Sequence, residues 1–190
     1  MRLSSFYGST MPAIPLEQVP ELVEFLHRKI RTNRREAVAC LLGLNGLRIS
    51  EVVNLKRKDF RPCRAKVDTL KGGKKREIPC SKDLCEALTK LKRSATKRKT
   101  SYLFHTKSGR QLSVRNLRRT WAEWSLKALG KSWRFHDLRH TCARYVYRES
   151  ENQIFAVAHV LGHRKIENTV IYLYNEDELK FLLPTSTREE

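Results

Sequence analysis

Apolar residues recur at the three- and four-residue steps of an α-helix along most of this 190-residue chain. The spacing is clearest at 113–130, where a serine precedes an apolar stripe and a glycine follows it, which predicts a helix with capped ends. The pattern changes at VDTL (67–70) and REIPC (76–80), two short runs typical of strands, with Gly72 and Gly73 between them. The sequence therefore predicts an α+β fold that is mostly α-helical with a small antiparallel β-sheet.

Further helices, one loop and one ambiguous segment complete the predicted secondary structure. Besides 113–130, helices are predicted at 16–31, 34–44, 48–55, 82–91, 136–148, 152–161, 166–174 and 176–183. A polar pair, Thr32 and Asn33, separates the first two of these helices, and 92–99 is predicted to be a basic loop. The run YLFHT (102–106) fits either an apolar strand or a short buried segment. The predicted core positions of the 136–148 helix are Leu138, Cys142, Tyr145 and Val146.

The length of the chain is that of one ordinary domain, which is enough to bury a full core. Pro12 and Pro15 mark residues 1–15 as an irregular lead-in, 16–183 is predicted to be the folded domain, and 184–190 a polar tail. Hydrophobic residues make up 40% of the chain and charged residues 31%, a balance typical of a globular protein and not of a disordered one.

The net charge favours a polyanionic partner. Lysine and arginine number 39 against 20 acidic residues, which gives a formal charge of +19. Each nucleic-acid phosphate that a protein neutralises releases condensed counterions, so a surplus of this size favours binding to DNA or RNA. The alternatives are a generally basic, solvated surface or an RNA binder of the ribosomal type. No apolar run has membrane-spanning length and the N-terminus lacks a signal-peptide layout, so we expect a cytoplasmic, nucleoid-associated protein without a membrane partner.

The five cysteines are an odd number and include no C-x-x-C pair. This number and spacing of cysteines is typical of reduced thiols in a cytosolic protein, and it does not favour a zinc site. The histidines likewise lack the further ligands that would complete a metal site. We expect neither a metal nor a cofactor.

Residues able to carry chemistry gather in the last third of the chain. HDLRH (136–140) is followed by LGH (161–163), and a tyrosine comes nine residues after that histidine. Imidazole, guanidinium and phenol groups can together bind a phosphate, move protons around it and attack it. An arginine in GLRISE (46–51) and a lysine beside Gly72 would add positive charge. The candidates in chain order are Arg48, Lys71, His136, Arg139, His163 and Tyr172.

This set, in this order and spacing, resembles the active site of the tyrosine recombinases of the phage integrase family. The resemblance covers nearly the whole chain. It implies the fold of that family's catalytic domain and a metal-independent, site-specific DNA recombinase that works through a 3′-phosphotyrosyl intermediate. In this interpretation Tyr172 is the nucleophile and Lys71 the general acid. The residues that hold and protonate the scissile phosphate are Arg48, His136, Arg139 and His163.

Several candidates have competitors or a structural alternative. Tyr174 competes with Tyr172, and Lys74 and Lys75 compete with Lys71, or all three lysines contact phosphates only. Arg48 has Glu51 three residues later, so the alternative is a surface arginine in an ion pair. The histidines expected to be structural are His27, His105, His140 and His159.

The expected partner is double-stranded DNA. Lys74 and Lys75 are predicted to contact it, together with three arginines on the polar side of the 113–130 helix, namely Arg115, Arg118 and Arg119. The alternative for these arginines is a solvated basic face, and the tryptophans of that helix are expected to pack in the core. The resemblance also implies a homo-oligomer, a tetramer on DNA, formed through 175–183. That apolar segment would dock on a neighbouring subunit or fold back on its own domain.

Two other functions remain open at this level. A type IB topoisomerase shares the fold and mechanism of the recombinases, and a DNA-binding regulator could retain the scaffold without the reaction. Most members of the family carry a separate N-terminal DNA-binding domain, whereas only about 15 residues precede the predicted catalytic domain here. We therefore expect no N-terminal core-binding domain in this chain, which is either a fragment of a longer protein or one of the smaller, single-domain members.

Overall fold

The structure, a computed structural model, describes residues 12–61, 63–67 and 76–173, without the side chains of Ile171 and Tyr172. Within these residues, helices predominate and one small antiparallel sheet accompanies them, which confirms the predicted α+β class. The elements are α1 (Val19–Leu44), α2 (Ile49–Asn54), β1 (Phe60–Arg61), β2 (Arg64–Val67), β3 (Arg76–Pro79), α3 (Lys82–Lys97), α4 (Val114–Leu129), α5 (Phe135–Glu149), α6 (Ile154–Leu161) and α7 (Glu167–Leu173). Single 3-10 turns occupy Leu16–Gln18 and Arg57–Asp59.

Helix α1 organises the main core, because it packs against α3, α4 and α5. Its apolar face is buried on both sides of a kink at Asn33, where φ is −129° and ψ is 51°. The break predicted at this point is therefore confirmed, because α1 consists of two helical stretches that meet at this kink. Burial of the second half, from Ala37 to Gly43, holds the kinked helix against α5.

The sheet has the order β1-β2-β3 and is antiparallel throughout. Val67 pairs with Arg76 and Ala65 with Ile78, so the inward residues alternate along both longer strands. Strand β2 begins at Arg64, three residues before the predicted first strand, and the rest of that prediction, 68–70, falls outside the described residues. Strand β1 was not predicted, since two residues are too short for a period to show. Residues 68–75 lie outside the described part of the chain.

Helix α3 is longer than predicted, and the expected basic loop at 92–99 is wrong. The helix continues to Lys97 because Leu91 and Ala95 extend its buried face by one more turn. The basic residues between them lie outside this face, and the Lys92 ammonium donates to the Phe60 carbonyl oxygen at 2.9 Å. The 102–106 run is the predicted buried segment and not a strand, with Leu103 and Phe104 fully buried beside isolated bridges.

Helix α4 matches its prediction closely. Ser113 caps its first turn by accepting from the Asn116 N–H, and Gly130 ends it in the left-handed conformation. Trp121 and Trp124 are buried, as expected of packing residues. The three arginines predicted to contact DNA are all exposed on the opposite side of α4, which leaves their proposed role open.

The last three helices form a smaller apolar cluster around Cys142, Val157 and Leu161. Tyr145 does not join this core as predicted, because it is 50% exposed and lines an open apolar cavity between α1, β3, α5 and α6. Helix α6 begins two residues later than predicted, since Glu151 and Asn152 take left-handed turn conformations before it. Helix α7 lies within the predicted 166–174 segment, and 176–183 lies outside the described residues.

None of the helices in the described ranges is both long and apolar enough to cross a membrane.

Candidate active site

Arg139 is the most deeply buried of the candidate residues whose side chains the structure describes. It extends from α5, is fully buried, and donates hydrogen bonds to two backbone carbonyl oxygens, of Gly46 and, at 2.9 Å, of Leu161. A buried guanidinium is tolerated only where its protons find acceptors. The two carbonyls lie at opposite sides of the site, in the α1–α2 turn and at the end of α6, so Arg139 connects both to α5.

Glu51, on α2, is the carboxylate around which the cations gather. Its side chain is buried and accepts from the Arg48 N–H at 2.8 Å, the Arg48 Nη1 at 3.2 Å and the Arg76 Nη2 at 2.9 Å. Arg139 adds a longer ion pair, with 3.8 Å between its Nη1 and the carboxylate. We call Arg48, Glu51, Arg76 and Arg139 the Glu51 cluster.

The Glu51 cluster keeps this carboxylate ionised. Burial by itself raises the pKa of the Glu51 carboxyl, but the hydrogen bond and charge of Arg76, the Arg48 N–H and the charge of Arg139 outweigh burial and lower that pKa. One negative charge therefore stands among three guanidinium groups. The cluster retains an excess of positive charge, and Arg48, with 34% of its side chain exposed, brings that charge to the surface.

Arg76 is a member of the site that the sequence interpretation missed. It was assigned only to a strand, yet its side chain is 8% exposed and reaches Glu51, with the Gly46 carbonyl oxygen 3.4 Å from its Nη2. A signal was present in the sequence. Arg76 stands two residues before the buried Ile78 on β3, and residues at this spacing face the same side of a sheet.

His163 follows α6 and is held between two elements. Its Nε2 accepts from the Arg139 Nη2 at 2.9 Å, and its Nδ1 lies 2.9 Å from the hydroxyl of Thr169, which is buried on α7. Because a guanidinium can only donate, Nε2 has no proton here, and the neutral ring carries its proton on Nδ1 and donates to Thr169. Partial burial and then the charges of Arg139, Arg48 and Arg76 lower the pKa of His163 to about 4.

His136 lies in the first turn of α5, at the rim of the site. Loss of surrounding water and then the charges of Arg139 and Arg48 lower its pKa. Its ring meets that of His140 edge to face, with 4.8 Å between centroids. His140 is buried, and burial followed by the proximity of His136 lowers its pKa to about 3, as suits the structural role expected of it. The Asp137 carboxylate caps α5 by accepting from the Arg134 N–H at 2.8 Å.

The structure thus brings together four of the six predicted residues, from three separate parts of the chain: Arg48, His136, Arg139 and His163. Tyr172 belongs by its backbone to α7, three residues after Thr169, and its side chain lies outside the described part. Lys71, Lys74, Lys75 and Tyr174 also lie outside the described residues. An ion pair between Arg48 and Glu51 was the alternative to a role in the site, and here the pair is part of the site.

Chemically, this is a pocket of positive charge with two neutral imidazoles beside it. Forked guanidinium groups suit the paired oxygens of a phosphate, and neutral imidazoles can accept or donate protons near it. Among the described residues, no group of three or more histidine, cysteine or acidic side chains is arranged to hold a metal ion.

Comparison with known proteins places this chain in a family. The chain is 31% identical to a tyrosine recombinase of Pseudothermotoga lettingae over 169 residues, which are 86% of this chain and 56% of the relative. It is 32% identical to the tyrosine recombinase XerC of Proteus mirabilis over 134 residues, 68% of this chain and 43% of the relative. The chain therefore spans about half the length of these curated relatives.

Solved structures show the same fold. The crystal structure of XerA recombinase superimposes with a TM-score of 0.73 at 24% identity, covering 92% of this chain and 65% of that one. A λ integrase fragment that was crystallised as a dimer on a DNA core site gives a TM-score of 0.63 at 20% identity, over 89% of this chain and 62% of that one. The profile of the phage integrase family matches residues 13–178. This chain belongs to the phage integrase family, the tyrosine recombinases.

Proposed function

We propose that this chain carries the catalytic part of a site-specific recombinase that cleaves and rejoins double-stranded DNA through a 3′-phosphotyrosyl intermediate. The observation that carries the proposal is the convergence of Arg48 and Arg139 on the buried Glu51, with His163 bonded to Arg139 and, through Thr169, to the helix of the predicted nucleophile. Family membership supports the reaction class.

The first step is capture of the scissile phosphate by Arg48 and Arg139. The Arg139 Nη2 donates to His163 in this structure, so a phosphate oxygen that enters takes the place of His163 as acceptor. His163 then has to donate to that phosphate, which needs a proton on Nε2. The negative phosphate raises the pKa of His163 and favours this proton, in the direction opposite to the effect of Arg139 alone.

The second step is attack by the Tyr172 oxygen on phosphorus. A bond forms between this oxygen and phosphorus, the bond from phosphorus to the 5′-oxygen breaks, and that oxygen leaves with a proton from Lys71. We assign the phenol proton to His136, which is neutral at pH 7 because its pKa is lowered. The covalent link conserves the energy of the phosphodiester, so the reverse attack by a 5′-hydroxyl rejoins the strand without ATP.

Covalent capture tests this proposal even though the DNA site is not known. The protein is incubated with a pool of duplexes that have randomised cores and a nick beside the cleaved position, so that the short released strand diffuses away and traps the adduct. We expect a denaturant-stable protein–DNA adduct, enrichment of one sequence on repeated selection, and a nucleotide attached to Tyr172 in the peptide map. Tyr172→Phe should form no adduct, whereas the matched Tyr174→Phe should retain it.

The same experiment separates the other functions. Adducts without sequence enrichment, together with relaxation of any supercoiled plasmid, would point to a type IB topoisomerase. Tight binding without any adduct would point to a regulator that retains only the scaffold. An adduct that Tyr172→Phe forms as well as the wild type would overturn the assignment of the nucleophile.

We also propose that the protein assembles as a tetramer on DNA through 175–183, a segment outside the described residues. The observation in favour is the apolar cavity of about 760 Å³ beside the site, bordered by Val19, Val23, Tyr145 and Val160, which offers a place for the apolar side chains of that segment. Tyr145→Glu should weaken assembly on DNA and leave folding unchanged. The control is Leu126→Glu, a similarly exposed apolar position on α4. Equal assembly by the two variants would contradict the cavity as the receptor.

A further inference from the structure

The Arg76 side chain contacts several separate segments of the chain. From the first residue of β3, it bonds to Glu51 on α2 and lies 3.4 Å from the Gly46 carbonyl oxygen in the α1–α2 turn. On its other side it lies against Gly162, at the end of α6 and directly before His163. Arg76 thereby joins the sheet directly to the Glu51 cluster and to the turn that carries His163.

The contact with Gly162 is so close that a side chain at that position would displace Arg76 from its present place. A β-carbon on Gly162 would stand 2.9 Å from the Arg76 Nη1, which is shorter than real contacts, and 3.0 Å from its Cδ, which is tighter than most, so the Arg76 side chain would have to shift. The φ of +68° at Gly162 is a second reason for glycine there. The turn that presents His163 is therefore in direct contact with the first residue of β3.

The position of Arg76 in the chain gives this contact a consequence for the reaction. Val67, the last residue of β2, pairs with Arg76, the first residue of β3. The residues between them, 68–75, include the lysine predicted to protonate the leaving oxygen, and they join β3 at Arg76 itself. An anchor at Arg76 thus fixes one end of the segment that carries the general acid.

We propose that Arg76 is a positioning residue, which anchors the lysine-bearing segment on Glu51 and on the turn before His163. This inference rests on the proposed recombinase function and extends it. A guanidinium suits the role because it can bond a carboxylate through two nitrogens while its flat face lies against a glycine. Lysine at this position would keep the charge but lose the paired bonds, which have lengths of 2.9 and 3.3 Å here.

A sulfur substitution in the DNA tests this role. When the 5′-bridging oxygen of the scissile phosphate is replaced by sulfur, the thiolate leaves without a proton, so the general acid is no longer needed. We expect Arg76→Gln to slow single-turnover cleavage of ordinary DNA about 100-fold, the lower range of a general-acid contribution, and to slow the sulfur substrate only about 3-fold. Lys71→Ala should show the same rescue, and Arg76→Lys a smaller loss with the same rescue.

The matched control is Arg64→Gln on the neighbouring strand. Arg64 is exposed and pairs with Glu77, away from the Glu51 cluster, so both substrates should be cleaved at the wild-type rate. An Arg76→Gln variant that is slowed equally on both substrates, or on neither, overturns the proposal. If Arg76→Gln does not fold, Arg76→Lys provides the test. Its rate of cleavage of the sulfur substrate is then compared with its rate of cleavage of ordinary DNA in the same way.

A measurement without DNA separates this inference from the recombinase function. Amide hydrogen exchange should become faster in Arg76→Gln than in Arg64→Gln at three places, residues 46–51, 76–79 and 161–163. Unchanged exchange at all three would contradict the anchor even if the wild type cleaves DNA. If exchange is faster in Arg76→Gln but the wild-type protein forms no adduct with DNA, the anchor is supported and the proposed reaction is contradicted.

Discussion

Arginines occur in this protein in two opposite settings, the Glu51 cluster and the outer face of α4. In the cluster, Arg139 is fully buried and Arg76 nearly so, and each of them has a carboxylate or carbonyl acceptor at a defined distance. On α4, Arg115, Arg118 and Arg119 are exposed. The same side chain therefore serves as a fixed part of a site in one region and as a solvated charge in the other.

The difference is one of free energy. Removal of a partner from a buried ion pair leaves an uncompensated charge and costs about 3–5 kcal/mol, whereas an exposed pair contributes about 0–1 kcal/mol. The geometry of the cluster is thus strongly enforced, which is what a reaction at phosphorus needs. The α4 face can adapt its side chains, which suits contacts that only need to follow a DNA backbone. Four predictions test this contrast, ordered from the largest expected effect to the smallest.

The same substitution in both regions should give the largest difference. Arg139→Lys should lower the free energy of unfolding by about 3 kcal/mol, because one ammonium cannot satisfy both the Gly46 and the Leu161 carbonyl oxygens. Its adduct formation should fall about 1000-fold. Denaturant unfolding and single-turnover cleavage measure these two effects. Arg119→Lys on α4 is the control, and similar losses in both variants would contradict the contrast.

Neutralising the central carboxylate should have the next largest effect. Glu51→Gln leaves three guanidinium groups without their shared negative charge, so we expect a loss of about 2–3 kcal/mol in unfolding free energy. Cleavage should fall about 10- to 100-fold, because Arg48 loses the acceptor that orients it. Glu123→Gln on the exposed side of α4 should be neutral in both measurements. Equal stability of the two variants would mean that the cluster does not depend on Glu51.

Acid should destabilise the site region through its histidines. In the folded protein His163 has a pKa of about 4 and His140 one of about 3, both below the ordinary value of 6.5, so the unfolded chain binds protons first. The contribution of these two histidines to the free energy of unfolding is therefore fully present above pH 6.5. It is lost as the pH falls towards 4, by about 2 kcal/mol after allowance for solvent screening.

The comparison that isolates His163 is with His163→Gln. This variant should lose less stability than the wild type between pH 6.5 and 4 in denaturant titrations at each pH. Carboxylates contribute equally in both proteins, so the difference reports the histidine. Parallel curves for the two proteins would mean that Arg139 and burial do not hold His163 neutral.

The smallest effect on the folded protein should come from the α4 face. With Arg115, Arg118 and Arg119 all changed to glutamine, the midpoint of thermal unfolding should stay unchanged. DNA affinity should fall about 10-fold at low salt, and the slope of log affinity against log salt should decrease by about 0.9 for each phosphate that the variant no longer neutralises. Cleavage of saturating DNA should continue at the wild-type rate. Unchanged affinity would remove this face from the DNA interface.

Much of the site was predictable because its residues sit at locally defined places. Arg48 stands just before a short helix, His136 and Arg139 share the first turns of α5, and His163 follows the glycine that ends α6. Each place has its own local signal in the form of a cap, a period or a glycine. The chemistry of these side chains then indicated a phosphate, and the charge of the whole chain agreed.

Other features were not predictable in the same way. The run of charges at 92–99 does not end α3, because the apolar steps to Leu91 and Ala95 continue the buried face of the helix through it. Tyr145 has core spacing on α5, but α1, β3 and α6 leave an open cavity beside it, so it stays 50% exposed. The two-residue spacing from Ile78 indicates that Arg76 is on the inner side of its strand. No local pattern, however, reveals that Glu51 and Gly162 lie on that side.

The sequence by itself determined the helices and their caps, the presence of the small sheet, the basic character of the chain and the residue types of the candidate site. Only the tertiary structure decided that Glu51 collects three arginines, that Arg76 belongs to the site, and that His163 bonds to Arg139 and Thr169. The physical reason is the range of the interactions. Period and capping act over a few residues, whereas Arg139 and the carbonyl oxygen of Gly46 are 93 positions apart, and such partners meet only when whole elements pack.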